Sequence, residues 1–140
     1  MKGKMMKKLA PFTVLILVVM LGCASDSTSG LELTLKEGGS QPIIRIVDSS
    51  FKRHIDVEEA IMRRGKTGFL EASVCVRNRK KKDYPIQYKF FWFDADGMEI
   101  QPGARPWEQT TLHGGEAVTL SATAPEKGGS KFIIRLRRIQ

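Results

Sequence analysis

Apolar and polar residues alternate along much of the chain after residue 30. A period of two is typical of β-strands that bury one face and leave the other in solvent. The clearest alternating segments are LELTL at 31–35, FLEASVCVRN at 69–78, IQYKFFWFD at 86–94 and KFIIRLRR at 131–138, and the apolar-rich segment IIRIVD at 43–48 is also predicted as a strand. Two more segments, TTLH at 110–113 and EAVTLSATA at 116–124, flank a glycine pair that is typical of a hairpin turn. We therefore predict seven or eight short strands.

Three other segments are harder to assign from the pattern. SSFKRH at 49–54 is predicted as a bend, and MEIQP at 98–102 as a short strand that ends before Pro102. In IDVEEAIMRR at 55–64, Glu, Ala and Met favour a helix, while the apolar residues also alternate. We favour a strand there, because GKTG at 65–68 resembles the tip of a hairpin that leads into the next strand.

Short strands separated by turn signals, without a predicted helix after residue 30, are typical of an all-β domain. We predict an immunoglobulin-like antiparallel β-sandwich of seven or eight strands; a β-barrel is the alternative. Alternation assigns one face of each strand to the core, and Trp92 is expected to anchor the two sheets. The predicted core residues are Leu70, Ala72, Val74, Val76, Ile86, Tyr88, Phe90, Trp92, Phe132, Ile134 and Leu136.

The N-terminal segment predicts export. Four lysines and no acid occur in the first eight residues, and the apolar run Leu9–Leu21 follows. This run has 13 residues, whereas a membrane-spanning helix needs about 20. The pattern is that of a secretory signal peptide at 1–22, cleaved on export, followed by a polar tether at 23–30 and the β-sandwich domain at 31–140.

Leu21-Gly22-Cys23 resembles the lipobox of bacterial lipoproteins, although Met20 stands where the pattern prefers Leu. The resemblance implies cleavage between Gly22 and Cys23, a diacylglyceryl thioether on Cys23, and an acyl chain such as palmitate on its amine. Ala24, in place of an Asp after the cysteine, implies the periplasmic face of the outer membrane, with the inner membrane as the alternative.

Net charge does not favour nucleic acid as a partner. The chain has 23 Lys and Arg against 15 Asp and Glu. Loss of residues 1–22 removes four lysines and no acid, which leaves 19 against 15, a net charge of +4. This mild excess and the predicted export both argue against nucleic-acid binding.

Candidate catalytic and metal-binding groups are few. DADG at 94–97 resembles part of a calcium loop, but the distal glutamate is absent, so a turn is predicted. His54, His113 and Cys75 do not have the spacing of zinc ligands, and Cys75 lies in the middle of a predicted strand. Cys75 is expected either to be covered by a neighbour or to form an intermolecular link. We predict no catalytic site, no metal and no cofactor.

Basic and aromatic residues on outward positions predict a surface for a partner. Phe91 and Phe93 occupy the outer face of their strand, covered by a loop or exposed as a patch, and Trp107 follows two prolines on a loop. The candidate partner surface comprises Arg77, Lys89, Phe91, Phe93, Trp107, Arg135 and Arg137. We expect another envelope protein or an anionic envelope polymer to bind it.

Residues 70–137 resemble the YcfL family of bacterial lipoproteins. The resemblance is carried by V-x-x-R-N at 74–78, Q-Y-x-F-x-W-F-D-A-D-G at 87–97, Pro106-Trp107, L-H-G-G-E at 112–116, A-T-A-P at 122–125 and F-x-x-x-L-R at 132–137. It implies a small envelope lipoprotein with a β-sandwich domain and no established enzymatic activity. Sequence and resemblance together predict a membrane-tethered, non-enzymatic binding or assembly module. The alternatives are a metal-binding or enzymatic envelope protein and an accessory factor for cell-wall synthesis.

Overall fold

The computed structural model of the chain describes Gly3 and residues 30–39, 41–46 and 48–139. The predicted signal peptide, Cys23 and most of the tether lie outside the described residues, apart from Gly3 and Gly30. No helix in the described part of the chain is long and apolar enough to cross a membrane.

The described residues form eight strands and one short helix. The elements are β1 (Leu31–Lys36), β2 (Ile43–Ile46), α1 (Ser49–His54), β3 (Ile55–Arg64), β4 (Leu70–Asn78), β5 (Tyr84–Asp94), β6 (Glu108–Leu112), β7 (Ala117–Thr123) and β8 (Gly129–Arg138). All strand pairs are antiparallel. One sheet has the order β2-β1-β8-β5-β6 and the other β3-β4-β7.

This strand order confirms the predicted immunoglobulin-like sandwich and adds one feature. β3, β4 and β7 stand where strands A, B and E of an immunoglobulin domain stand, and β5 and β8 stand where C and F stand. The place beside F belongs to strand G, the last strand of an immunoglobulin domain. Here β1 fills it from the other end of the chain.

The core lies between the two sheets and follows the alternation of the strands. β4 and β8 bury every second residue, and the predicted core residues of both strands are buried. Trp92 is 2% exposed and Phe132 is fully buried, and their ring centroids lie 5.8 Å apart. Tyr88 is only half-buried, because it pairs with Glu108 on the edge strand β6.

Two of the three difficult segments differ from their predictions. Residues 49–54 form helix α1 rather than a bend, because Asp48 caps it: Oδ1 of Asp48 accepts a hydrogen bond of 2.7 Å from the amide of Ser50. Residues 98–102 form no strand; Glu99 makes a single bridge to Phe93. Residues 55–64 are a strand, as predicted, with a bulge between Val57 and Glu59.

Buried Asn78 joins the β4–β5 turn to the end of β6. Its Nδ2 donates to the carbonyl oxygens of Lys82 and Leu112, both at 2.8 Å, and its Oδ1 accepts from the amide of Lys80 at 2.9 Å. The β6–β7 turn packs on the same loop. A Cβ on Gly114 would lie 2.1 Å from the carbonyl oxygen of Lys81, so only glycine fits there.

The described chain enters the sandwich at the end that contains this turn. The amide of Gly30 donates to the carbonyl of Leu136 at 2.8 Å, and Gly30 lies directly against the ring of Phe51 in α1. Tyr84 at the start of β5 makes an edge contact with Phe51 and stacks on His54 at 4.7 Å. The amide of Arg79 then donates to the carbonyl of His54 at 2.7 Å. We call this end of the sandwich, with Gly30, α1 and the β4–β5 and β6–β7 turns, the entry end.

Candidate functional site

The outer face of the five-stranded sheet carries a layer of aromatic and cationic side chains. In the β5–β8 register, Lys89 pairs with Arg135, and Phe93 pairs with Lys131, on the side that faces away from the core. Trp107, just before β6, completes the layer. We call these residues the arginine–aromatic surface: Lys89, Phe91, Phe93, Trp107, Lys131, Arg135 and Arg137, all half-buried.

Guanidinium groups stack on the rings of this surface. The guanidinium carbon of Arg137 lies 3.9 Å from the centroid of the Trp107 ring, and that of Arg135 lies 4.8 Å from the centroid of Phe91. Phe91 and Trp107 meet edge to face, with centroids 6.5 Å apart. These are attractive cation–π and aromatic contacts, so the flat groups form one continuous packed layer.

Lysines cover the remaining ring faces. Nζ of Lys89 lies 5.0 Å from the centroid of Phe91, and Nζ of Lys131 lies 4.5 Å from that of Phe93. The sequence pattern left two alternatives for Phe91 and Phe93, a covering loop or an exposed patch. The observed cover consists of cationic side chains of the same sheet and the ring of Trp107.

Hydrogen bonds orient the two guanidinium groups through one nitrogen each. Nε of Arg135 donates to Oε2 of Glu32, and Nε of Arg137 donates to Oε1 of Gln87, both at 2.8 Å. Within the described residues, the terminal nitrogens of Arg135 and Arg137 have no hydrogen-bond partner. Each arginine therefore presents an oriented fork of N–H donors. Such a fork can bind one carboxylate through two parallel hydrogen bonds.

Cations outnumber carboxylates at this surface. It contains four cations, and two carboxylates lie beside them: Glu32, in its ion pair with Arg135, and Glu99, opposite Phe93 at the end of β5. The sequence pattern had located the cations and rings, but not Glu32 and Gln87, which orient them. Only the pairing of β8 with β1 and β5 reveals that role, and local alternation does not encode this pairing.

Arg77 does not belong to this surface, contrary to its grouping in the sequence analysis. β4 lies in the three-stranded sheet, so the outer face of β4 points away from that of β5 and β8. Arg77 there forms an ion pair with Glu58 and donates to the carbonyl of Gly115 at 2.8 Å. This pairing lowers the pKa of Glu58 and raises that of Arg77.

Cys75 is half-buried on the outer face of the three-stranded sheet, where its Sγ donates to Oε2 of Glu58 at 3.6 Å. The two histidines lie elsewhere, with separate partners. Nδ1 of His54 lies 2.7 Å from the carbonyl oxygen of Ser50, and Nδ1 of His113 lies 3.0 Å from Oδ2 of Asp83. Neither histidine therefore stands beside the thiol, and the carboxylate that does, Glu58, is already paired with Arg77.

Asp94 acts as a turn residue, since its Oδ1 accepts from the amides of Asp96 and Met98 at 3.0 and 2.9 Å. Across residues 30–39, 41–46 and 48–139, no three His, Cys, Asp or Glu side chains come close enough together to hold a metal ion.

Tyr88, at the edge of the five-stranded sheet, gives the domain an alkaline limit. Its burial, reinforced by the hydrogen bond of 2.8 Å to Glu108, raises the pKa of Tyr88 to about 12. The unfolded chain releases this proton near pH 10 and the folded chain near pH 12, so the stability that the folded state gains from the protonated phenol is lost as the pH rises from about 10 to 12. We expect the free energy of unfolding to fall over this interval, and urea unfolding at successive pH values measures it.

Two variants test the origin of this alkaline decline. Tyr88→Phe should remove the contribution of this phenol to the fall in the free energy of unfolding. Glu108→Gln keeps the phenol buried but removes the carboxylate, so it should narrow the pH interval over which the free energy falls. An unchanged decline in Tyr88→Phe would assign the effect to other groups.

The fold and this surface define a class: an immunoglobulin-like sandwich whose oriented polar groups lie on the open face of a sheet. A family model described as "Protein of unknown function (DUF1425)" matches residues 43–138, and the chain belongs to this family. The match begins at β2, so β1 lies before it, although β1 is an inner strand of the five-stranded sheet.

Individual relatives support the same assignment. The chain is 35% identical to "Uncharacterized protein YcfL" of Escherichia coli (strain K12) over 65 residues, which are 46% of this chain and 51% of that protein. The match thus spans about half the length of this curated relative. It confirms the predicted resemblance to the YcfL family.

Two solved structures share the fold. A crystal structure of a DUF1425 family member from Shewanella sp. pv-4 has a TM-score of 0.56 and 24% identity, and covers 81% of this chain and 93% of its own. The crystal structure of Campylobacter jejuni cj0090 has a TM-score of 0.53 and 21% identity, and covers 59% of this chain and 85% of its own.

Proposed function

We propose that the protein is a non-enzymatic, lipid-anchored binding module of the cell envelope that captures an acidic partner on its arginine–aromatic surface. The observation that carries this proposal is the pair of stacked, oriented arginines. Arg135 and Arg137 are held by aromatic rings and by one hydrogen bond each, and both forks of terminal N–H groups remain open to a ligand.

The composition of this surface supports a protein partner that presents carboxylates. Trp, Phe and Arg are enriched where protein interfaces carry their binding energy. Rings that hold the guanidinium groups in place reduce the conformational entropy lost on binding. The excess of cations over carboxylates favours an acidic surface and accelerates the encounter with it.

The anchor in this proposal is Cys23, and its support is the sequence pattern at 20–24. Several acyl chains on one residue bind a membrane durably, whereas one chain holds only marginally. With Ala24 after the cysteine, we place the domain on the periplasmic face of the outer membrane.

Photocrosslinking in living cells tests the proposal. A photoreactive residue at Ile133, on the arginine–aromatic surface between Thr34 and Phe91 in the register, should trap a defined partner. The same residue at exposed Ser121, on the outer face of the other sheet, is the matched position that should not. Arg135→Gln combined with Arg137→Gln should lower the yield at Ile133 at least about tenfold, because arginines of this kind dominate interface energy.

A second pair of arginines controls for the change of charge. Arg63→Gln combined with Arg77→Gln also removes two positive charges, here from ion pairs on the three-stranded sheet, and should leave the yield unchanged. Equal losses in the two double variants, or equal crosslinking at Ile133 and Ser121, would contradict a partner site on the arginine–aromatic surface. Cys23→Ala should abolish the capture of a membrane-bound partner.

A further inference from the structure

The entry end of the sandwich carries a cluster of exposed cations. Lys52 and Arg53 lie in the last turn of α1, and Lys80, Lys81 and Lys82 form most of the β4–β5 turn. The contacts from Gly30 through Phe51, Tyr84 and His54 to Arg79 bring both segments to the place where the chain enters the domain. We call these five residues the basic cluster.

Three acids of this end have partners or backbone contacts, whereas a fourth, Glu116 in the β6–β7 turn, is exposed and its carboxylate has no partner among the described residues. Asp56 forms an ion pair of 2.5 Å with Arg79, and Asp83 faces His113 and accepts from the amide of Gly114. Asp48 caps α1, and the backbone hydrogen bond from Ser50 is the main reason that its pKa is lowered. Among the residues that the structure describes, no member of the basic cluster forms an ion pair, so its charge is available to a ligand.

The β4–β5 turn is held by its backbone, which leaves the lysine side chains free. Asn78 binds the amide of Lys80 and the carbonyl of Lys82, and the amide of Gly115 donates to the carbonyl of Lys80 at 2.9 Å. The turn therefore presents three neighbouring ammonium groups on a fixed backbone. Substitution of these side chains removes none of the contacts that hold the turn.

The length of chain before Gly30 limits where this end can go. Seven residues follow Cys23 up to Gly30, and they span at most about 25 Å when fully extended. If Cys23 holds the lipid anchor, the entry end is the part of the domain next to the membrane. A basic cluster beside a lipid anchor is the arrangement that adds electrostatic to hydrophobic membrane binding.

We infer that the basic cluster docks on anionic phospholipid headgroups of the leaflet that holds the Cys23 anchor. This inference rests on the anchor of the proposed function, but not on the partner site. Docking would set the strands upright on the membrane, because β1 starts and β8 ends at the entry end. The arginine–aromatic surface would then face sideways, toward partners that stand beside the domain on the same membrane.

Lysine reactivity on vesicles tests this orientation. The acylated mature protein, which begins at Cys23, is reconstituted into vesicles of phosphatidylcholine, with and without phosphatidylglycerol, and each lysine is scored for acetylation by mass spectrometry. Lys52 and Lys80–Lys82 should react at least about fivefold more slowly with phosphatidylglycerol present, the factor expected for even one basic residue at an anionic surface. Lys36, Lys66 and Lys127, exposed at the opposite end, should not change. High salt should restore the reactivity.

Two triple variants provide the matched comparison. Lys80→Gln, Lys81→Gln and Lys82→Gln together should restore the reactivity of Lys52 on anionic vesicles. Lys36→Gln, Lys66→Gln and Lys127→Gln, with the same change in charge, should leave it protected. Equal reactivity of the basic cluster on both kinds of vesicle would overturn the inference while the anchor stands. The same spectra report the mass of the Cys23 peptide, and an unacylated Cys23 would overturn the anchor together with the inference.

Discussion

Asn78→Leu is expected to lower the free energy of unfolding by about 3 kcal/mol, because the buried carbonyl of Leu112 loses its partner, as do the partly buried amide of Lys80 and carbonyl of Lys82. Asn78 is fully buried, and its side chain serves the amide of Lys80 and the carbonyls of Lys82 and Leu112. Leucine has a similar size but no polar atom, so the loss reports hydrogen bonding rather than a cavity. Urea unfolding followed by tryptophan fluorescence measures it.

Two further variants separate the role of the side chain from that of the turn. Lys80→Ala changes an exposed side chain in the same turn and should stay within about 0.5 kcal/mol of wild type. Asn78→Asp turns the donor toward two carbonyl oxygens into an acceptor, so it should also be strongly destabilising. An unchanged free energy of unfolding in Asn78→Leu would show that the β4–β5 and β6–β7 turns hold together without this side chain.

Phe132→Ala is expected to cost about 3–5 kcal/mol, the usual range for removing a buried phenylalanine. Phe132 is fully buried between the sheets, with ring centroids 5.6 Å from Phe90 and 5.8 Å from Trp92. The other sheet cannot collapse onto the space without moving β4 and β7 together. The same unfolding experiment applies, with Trp92 as a nearby reporter.

The adjacent residue is the control for Phe132→Ala. Ile133 lies on the outer face of β8 and is half-buried, so Ile133→Ala should cost about 1 kcal/mol, well below its neighbour. A large loss of stability in Phe132→Ala and a small one in Ile133→Ala is the result expected for a strand with one buried and one outer face. Equal costs would mean that both faces of β8 are buried to the same degree.

The strands and the inner faces of the sandwich could be predicted because they are local. In β4 and β8 every second residue is apolar, and the same residues are buried. Helix α1 was not predicted, because its six residues are too few to show helical periodicity. The one local feature that indicates it is the N-cap residue Asp48. β1 was predicted as a strand, but its pairing with β8 links residues about a hundred positions apart, which no local pattern encodes.

The candidate site was predictable to the same extent. Alternation placed Lys89, Phe91, Arg135 and Arg137 on outer faces, and the β5–β8 pairing brings them together. It grouped Arg77 with them, because sequence does not reveal which sheet a strand joins. Contacts between distant segments determine the remaining features. These are the stacking of the arginines on the rings, the orienting groups Glu32 and Gln87, and the basic cluster beside Gly30.

The place of β1 between β2 and β8 also determines how the domain would respond to mechanical load. Tension applied at Gly30 pulls along the length of β1, while the hydrogen bonds of an antiparallel ladder lie across it. Six residue pairs with β8 and four with β2 would then be loaded in shear at the same time, rather than opened one after another. A domain tethered through this strand should therefore yield only at high force, and should stay folded while a bound partner moves.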